Sequence, residues 1–371
     1  MSGDEGLPTG GGRRRCPPPA PPLEDDDLLS DILLRLPPTP SSLPRVSLVC
    51  KRWRRLVSDR GFLGRFRARH RRSAPLLGLF AEDRRAFSFA DPAKRAPLHF
   101  SFTPTLDPPD RIPGRRFSLQ LDGVNNWKIV GCRHGLVLLF NRNRHQVLVW
   151  DPFTGEQHRI APPPGFSDGG HAVVFHGAVL GGAPGDDAGH STPFLVVLVG
   201  PDGEITRSFA CVYSSETNIW GNLISTACQS MFPLEESSTL VGCCLYWLLG
   251  GGSVGILQLD LDRQCLAVID LPLDISSSSR RYVHSCFVMP AEGGGLGLLY
   301  LPDYSFSAQL WKRKTGSDGV AQWVLGRTIE LDKLLPLSAE GIFYPRASRV
   351  VSLLPRLING LMYALLTPDA P

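Results

Sequence analysis

The sequence predicts an α+β multidomain fold, in which a short all-α module precedes a larger all-β region of repeated short strands. Between residues 23 and 62, apolar residues recur with a helical period, whereas past residue 74 they alternate or form short runs between turns. The 38 glycines and 33 prolines favour many turns. With 43% hydrophobic residues among 371, the chain is able to bury a sizeable core.

The first predicted helix carries one broad apolar face. This face comprises Leu28, Leu29, Ile32, Leu33 and Leu36. Three aspartates, residues 25–27, stand at the start of the helix, where negative charge stabilises the exposed N–H groups and the helix dipole. Pro37 and Pro38 end the helix, because proline can neither donate the next backbone hydrogen bond nor fit the preceding turn.

The second predicted helix opens at Ser41 or Ser42, either of which can serve as the N-cap, and Pro44 is tolerated in its first turn. Apolar residues then follow at 3-4-3-4 spacing, which predicts one continuous helix over Leu43, Val46, Cys50, Trp53 and Val57. About forty residues cannot bury two such faces against each other, so we expect some apolar surface to be left for a partner.

The order of residues in this segment resembles an F-box, the helical module by which substrate receptors dock on the Skp1 adaptor of cullin–RING ubiquitin ligases. The resemblance covers Leu23 to Phe62 and rests on three strings: DLLSDILLRLPP, the residues Val49, Lys51 and Trp53, and the closing LVSDRGF. The family usually begins with Leu-Pro, whereas here Leu23 is followed by Glu24. On periodicity alone, an ordinary helical hairpin at the edge of a larger domain is the alternative.

The resemblance implies a Skp1-binding surface on the two predicted helices. The residues that would form it or support it directly are Leu23, Leu28, Leu29, Ile32, Leu33, Leu36, Pro37, Leu43, Val46, Val49, Cys50 and Trp53. By pattern alone Trp53 is a core aromatic; in the F-box interpretation it packs the helices together and borders the adaptor surface. Through the adaptor, the chain would join cullin 1 and a RING subunit.

Four segments are predicted: a disordered, Pro/Gly-rich lead (1–22), an F-box (23–66), a basic linker (67–74) and a β domain (75–371, irregular from 345). Residues 45–72 carry eleven Lys or Arg against the single acid Asp59. Solvated helix faces, or contact with an acidic adaptor, explain this charge more simply than nucleic acid binding through the run 65–72.

Nine scattered cysteines form no C-x-x-C pair and stand at no zinc-ligand spacing with histidine. With no N-x-S/T sequon and no secretory signal, this favours a reducing compartment, the nucleus and/or the cytoplasm. No apolar run approaches the length of a membrane span, so no membrane association is expected. The sequence predicts no metal and no cofactor.

Short strands recur along the rest of the chain. GLVLLF (135–140) and QVLVWDP (146–152) flank a polar turn and predict a hairpin. Two strands are predicted within 209–222, three within 245–272 and two within 308–331. When these units are aligned on one strand-then-turn step, the marker residues are separated by about 63, 47 and 51 positions; the markers are Trp150, Tyr213, Asp260 and Trp311.

This spacing is close to the ~40–50 residues of a four-stranded propeller blade, with Gly181–Gly189 as a loop insertion. WDPFTGE and the later LYWLL…ILQLDLD make the region, roughly 75–345, similar to the F-box-associated β-propeller-like (kelch-like) domains of plant F-box proteins. Five or six blades fit the length. A pair of β-sandwiches is the competing architecture.

We find no constellation of catalytic residues. GGGSVG (250–255) satisfies G-x-G-x-x-G but lies between two strand-like runs, so a hairpin loop is expected instead of a dinucleotide site. His171 and His176 share no face, and Asp186 and Asp187 lie in a Gly-rich insertion. The resemblance to F-box proteins implies instead a non-catalytic subunit of an SCF (Skp1–cullin–F-box) ubiquitin ligase that binds an unknown protein target through the β domain. The alternatives are a small-molecule or enzymatic propeller and a nucleic-acid binder.

Overall fold

The structure is a computed structural model. It describes residues 25–70, 75–82, 100–117, 119, 121, 127–141, 143–166, 173–174, 176–181, 193–230, 232, 238–250, 254–273, 275, 286–302, 307–316 and 319–330. The chain divides into two compact units, one formed by 1–83 with 100–118 and the other by 84–99 with 119–371. We refer to them as the helical unit and the β unit.

The described part of the helical unit contains four α-helices, α1 (Asp26–Leu33), α2 (Ser42–Ser47), α3 (Lys51–Ser58) and α4 (Arg60–His70). The acidic start predicted for α1 is confirmed, because Asp25 is its N-cap and accepts hydrogen bonds from the N–H groups of Asp27 and Leu28. Among the described residues, no helix combines the length and apolar character that crossing a bilayer requires.

The prediction of one continuous helix over residues 41–57 is wrong, since α2 and α3 are separate. Cys50 has an extended backbone (φ −161°, ψ 170°) and is the N-cap of α3, with its sulfur accepting a hydrogen bond from the Trp53 N–H. Ser41 occupies the N-cap position of α2, but its side chain makes no capping bond. The apolar spacing persists across the break because both helices contribute to one core.

That core is built by all four helices. Its buried members are Leu29, Leu33, Val46, Val57, Phe62 and Phe66. Residues 67–70, predicted as the start of a basic linker, are instead the last turn of α4. They stay helical because His70 is fixed twice: its ring lies 4.6 Å from that of Phe66, and its Nε2 donates to the Leu34 carbonyl at 2.9 Å.

A strand pair also belongs to the helical unit. β1 (Gly78–Glu82) and β2 (Phe100–Pro104) pair antiparallel, and the rings of Phe102 and Phe117 meet edge-to-face at 4.7 Å. The sequence placed everything from residue 75 in the β domain, whereas the structure groups this pair with the helices. The other predicted domain boundaries stay predictions.

The β unit consists, in its described part, of four antiparallel sheets that follow one another along the chain. The first holds β3 (Trp127–Arg133), β4 (Leu136–Asn141), β5 (Gln146–Trp150) and β6 (Gln157–Ile160). The second holds β7 (His176–Gly181), β8 (Phe194–Pro201), β9 (Arg207–Ser214), β10 (Ile219–Trp220) and β11 (Ile224–Ala227). The third holds β12 (Thr239–Val241), β13 (Cys244–Leu249), β14 (Gly255–Asp260) and β15 (Cys265–Asp270). The fourth holds β16 (Cys286–Pro290), β17 (Leu296–Tyr300), β18 (Ser307–Thr315) and β19 (Ala321–Glu330).

Each sheet is a meander of sequential neighbours, and the second adds β11 beside β9. The predicted hairpins are therefore confirmed. The four marker residues whose spacing indicated repeated units occupy equivalent places, because all lie on the third strand of their sheets, β5, β9, β14 and β18.

Three separate apolar cores lie between successive sheets. One joins the first sheet to the second, another joins the second to the third, and the last joins the third to the fourth. Inner strands are consequently buried on both faces, as in β13, where all six residues are buried. Serial stacking of four-stranded meanders is the arrangement of β-propeller blades, whereas a sandwich would bury one core between two sheets.

Some predictions fall on residues that the structure does not describe. These are the lead 1–22, Leu23, His171, Asp186 and Asp187, most of the insertion 181–189 and the irregular segment 345–371. The number of blades also stays a prediction.

Candidate protein-docking surface

Helix α1 has an apolar side that the fold buries and an apolar side that it leaves exposed. Leu29 and Leu33 are 0% and 3% exposed, whereas Leu28 and Ile32 are 49% and 46% exposed. Each pair is spaced i, i+4, which places its two members on one side of the helix. Ser30, on the buried side, is satisfied by a hydrogen bond from Arg65 Nη2 at 2.9 Å.

The loop between α2 and α3 exposes two further large apolar side chains, Leu48 (76%) and Val49 (60%). The loop is ordered, because the N–H groups of these residues donate to Arg45 and Val46 carbonyls at 3.1 and 3.2 Å. In addition, Arg54 Nε donates to the Ser47 carbonyl at 3.2 Å. The apolar side chains are therefore presented to solvent by a fixed backbone.

An ion pair joins α1, which carries the exposed Leu28 and Ile32, to the first turn of α3, which follows the loop with Leu48 and Val49. Arg52 Nη2, in the first turn of α3, lies 2.7 Å from Asp26 Oδ1, in the first turn of α1. This contact brings the loop that precedes α3 to the end of α1 that carries Leu28. We call Leu28, Ile32, Leu48 and Val49 the docking surface.

The structure divides the predicted adaptor-binding residues into core and surface. Leu29, Leu33 and Val46 are buried, and Leu36, Leu43 and Trp53 are partly buried against the same core. The exposed members are Leu28, Ile32, Pro37, Val49 and Cys50, and Leu23 lies outside the described residues. Whether any of them contacts an adaptor stays a prediction; the buried ones can only support the surface.

Sequence reasoning missed two features of this unit. Leu48, the most exposed of the four apolar side chains, was omitted because it falls outside the 3-4-3-4 pattern. Phe62 and Phe66 were not assigned to the core, yet they are core residues with ring centroids 6.1 Å apart. Their i, i+4 spacing, continued by His70, was the signal that could have identified a fourth helix.

A carboxylate fixes the start of α2. Asp110 Oδ1 accepts a hydrogen bond from the Ser41 N–H at 2.8 Å, although the two residues are 69 positions apart. Hydrogen bonds from the backbone and hydroxyl of Ser41 hold the pKa of the Asp110 carboxyl below its ordinary value of 3.8.

The loop that carries Leu48 and Val49 leads directly into a cationic helix, since Lys51, Arg54 and Arg55 of α3 are exposed. Exposed apolar side chains next to cations are suited to an apolar partner surface with an acidic rim.

The β unit contains a pocket of about 370 Å³ beside the turn between β4 and β5, lined by residues that include Arg144, His145 and Arg159. Its lining includes no carboxylate or thiol that could act as a nucleophile. The strands on either side of the glycine string (250–255) pair with each other, with Leu249 of β13 opposite Gly255 of β14, while residues 251–253 lie outside the described part of the chain. Neither feature assembles catalytic chemistry.

A helical module with an exposed apolar surface, followed by propeller blades, defines a modular binding protein of the F-box class. The chain belongs to the family described as "F-box protein AT5G49610-like, beta-propeller", whose family model matches residues 128–341, and a model of the F-box-like module matches residues 26–66.

Two relatives are plant proteins of the same class. The chain is 24% identical over 221 residues to the putative F-box protein At3g16210 of Arabidopsis thaliana, covering 60% of this chain and 52% of the relative. It is 32% identical over 136 residues to the putative F-box protein At3g17490 of Arabidopsis thaliana, covering 36% and 32%. The matches therefore span about half of the first relative and a third of the second.

Similarity to solved structures is weak. The dipeptidyl peptidase 4 of Porphyromonas gingivalis shares 8% identity with a TM-score of 0.32, covering 61% of this chain and 35% of that one. A luciferin-regenerating enzyme shares 7% identity with a TM-score of 0.25, covering 53% and 73%. Scores this low carry no argument about function.

Proposed function

We propose that this protein is the substrate-recognition subunit of an SCF ubiquitin ligase. The observation that carries the proposal is the docking surface, in which four large apolar side chains of the F-box-like module are held in solvent by an ordered backbone. Exposing them costs free energy unless a partner covers them. The partner we propose is a Skp1-like adaptor, which would connect the chain to cullin 1 and a RING subunit.

In this proposal the chain itself performs no chemistry. The helical unit docks on the adaptor, and the loops of the β unit bind the protein target. Holding both at once raises the effective concentration of the target near the ubiquitin-loaded enzyme, which is how a binding protein promotes a transfer reaction. We propose the nucleus and/or the cytoplasm as the location, because the cysteines of the described residues form no disulfide, which suits a reducing compartment.

The structure specifies which substitutions test docking. A buried residue such as Leu33 is unsuitable, because a charge there would unfold the module. Leu28 and Val49 are exposed, so aspartate at both positions leaves the core intact. In the complex, each aspartate would be desolvated without a partner, at a cost of several kcal/mol.

The experiment is co-purification of the full chain with a plant Skp1-like adaptor, followed by calorimetric titration. We expect the wild type to bind and the Leu28→Asp, Val49→Asp variant to lose at least a hundredfold in affinity. The matched control is Ile219→Asp, which places the same charge on an apolar residue of β10 that is at least as exposed as Leu28 and Val49. Equal binding by wild type and double variant, with both folded by circular dichroism, would refute the assigned surface.

A further inference from the structure

Two cysteines and a carboxylate meet at one end of the third sheet of the β unit. The antiparallel register pairs Cys244, the first residue of β13, with Asp260, the last residue of β14. Gly242 adopts φ +61° in the preceding turn, and Cys243 follows it. The two sulfurs are 4.0 Å apart, and the ligand atoms of all three residues lie within 4.8 Å of one another.

These distances fit a shared metal ion better than a covalent bond. A disulfide requires sulfurs about 2.05 Å apart, roughly half the observed separation. A tetrahedral zinc ion with Zn–S bonds of about 2.3 Å places two sulfur ligands about 3.8 Å apart. Among the described residues, no other group of three such side chains lies this close together.

The carboxylate of Asp260 is held in place by the turn that follows β14. Its Oδ1 accepts hydrogen bonds from the N–H groups of Asp262 and Arg263 at 3.0 and 2.9 Å. Its Oδ2 has a longer contact, 4.0 Å, to Nε of the exposed Arg263 side chain. One oxygen thus fixes the turn, and the other is available as a ligand.

An outer hydrogen bond orients one of the sulfurs. Gln258 Nε2 donates to Cys244 Sγ at 3.3 Å, and Cys244 itself is 8% exposed. Outer donors of this kind fix the orientation of metal ligands in known sites.

We propose that Cys243, Cys244 and Asp260 bind one divalent, thiophilic cation, zinc being the best fit, with the fourth coordination position left to solvent. The sequence predicted no metal because the ligands follow no established spacing; the pairing of β13 with β14 brings them together. The ion would tie the turn before β13 to the end of β14. This site is independent of adaptor docking, so either proposal can fail alone.

The test uses the full chain, purified under reducing conditions, freed of metal with a chelator and titrated with Co²⁺. We expect one equivalent to produce thiolate-to-cobalt charge-transfer absorption, which zinc then abolishes by displacement. Cys243→Ser and Asp260→Asn should each weaken zinc binding at least tenfold. The asparagine keeps an oxygen for the turn hydrogen bonds, so that variant stays folded. Gln258→Ala should weaken zinc binding about 10- to 100-fold.

The matched control is Cys265→Ser, which removes the exposed thiol on β15 that is paired with Asp260 in the register. It should leave the absorption and the zinc affinity unchanged. The proposal is overturned if wild type shows no charge-transfer absorption, if Cys243→Ser and Asp260→Asn retain wild-type affinity, or if Cys265→Ser abolishes binding.

Discussion

The helical unit and the β unit use apolar side chains differently. In β13, residues on both faces of the strand are buried because a neighbouring sheet packs on each side. In α1, one apolar side is buried while Leu28 and Ile32 remain in solvent. Exposed apolar residues of the β unit lie mainly in turns and on β19, the outermost described strand of its sheet. The fold therefore buries the inner strands of the β unit on both faces, whereas α1 keeps part of its apolar surface exposed.

The largest expected effect on stability comes from opening a cavity in the core of the β unit. Leu257 on β14 is 0% exposed and belongs to the core between the second and third sheets. Leu257→Ala should lower the free energy of unfolding by about 2–5 kcal/mol, from lost burial and an unfilled cavity. Urea denaturation followed by tryptophan fluorescence measures it. Ile219→Ala, at an exposed site, should change stability by less than about 0.5 kcal/mol; similar losses for both would contradict the assigned core.

Two adjacent leucines, Leu28 and Leu29, allow the exposed and the buried side of α1 to be compared directly. Leu29→Ala should destabilise the helical unit by about 2–5 kcal/mol because Leu29 is fully buried. Leu28→Ala, at a half-exposed site, should cost less than about 1 kcal/mol of stability while weakening adaptor binding about tenfold. Thermal denaturation and calorimetric titration of both variants separate the two roles. An equal loss of stability would show that α1 has no surface side.

A smaller effect is expected at the start of α1. Asp25→Ala removes the acceptor for the N–H groups of Asp27 and Leu28, which should cost about 1 kcal/mol. Hydrogen exchange of those two amides should accelerate accordingly. The exposed Asp31→Ala is the control, since it changes a carboxylate inside the helix without touching the cap. Equal acceleration in both variants would argue against capping.

The smallest effect concerns pH. Because the folded pKa of Asp110 is lowered, its contribution to stability is present above the ordinary value of 3.8 and is lost as the pH falls through the lowered value. Asp110→Asn keeps an oxygen for the Ser41 N–H but cannot titrate. The wild type should therefore lose more stability than this variant between neutral pH and about pH 3 in thermal denaturation. Asp107→Asn, an exposed neighbour, is the control, and parallel pH profiles for wild type and Asp110→Asn would refute the linkage.

Local patterns in the sequence were sufficient for much of the fold. The helix start at Asp25 and the hairpins of the β unit depend on residues within a few positions of one another, and both are as predicted. The F-box-like order of residues was recognisable for the same reason. Such features arise from hydrogen bonds and side-chain periods that a short segment satisfies by itself.

Other features depended on residues that are distant in sequence. The break at Cys50 could not be read from the apolar spacing, because helices on both sides of it pack on one core. The pairing of β1 with β2 lies with the helices because of contacts within that unit, such as that of Phe102 with Phe117. The spacing of apolar residues shows which face of a helix or strand is apolar. It does not show which distant segment of the chain covers that face.

The sequence by itself determined that residues 26–66 form an F-box-like helical module and that repeated strand meanders follow. Only the tertiary structure decided that Leu28 is surface while Leu29 is core, and that Cys244 lies opposite Asp260. The physical reason is the same in both cases. A short segment decides whether a helix has an apolar face or where a cysteine or aspartate stands. Whether that face is buried, and which side chains lie beside that residue, depends on the distant segment that packs or pairs against it.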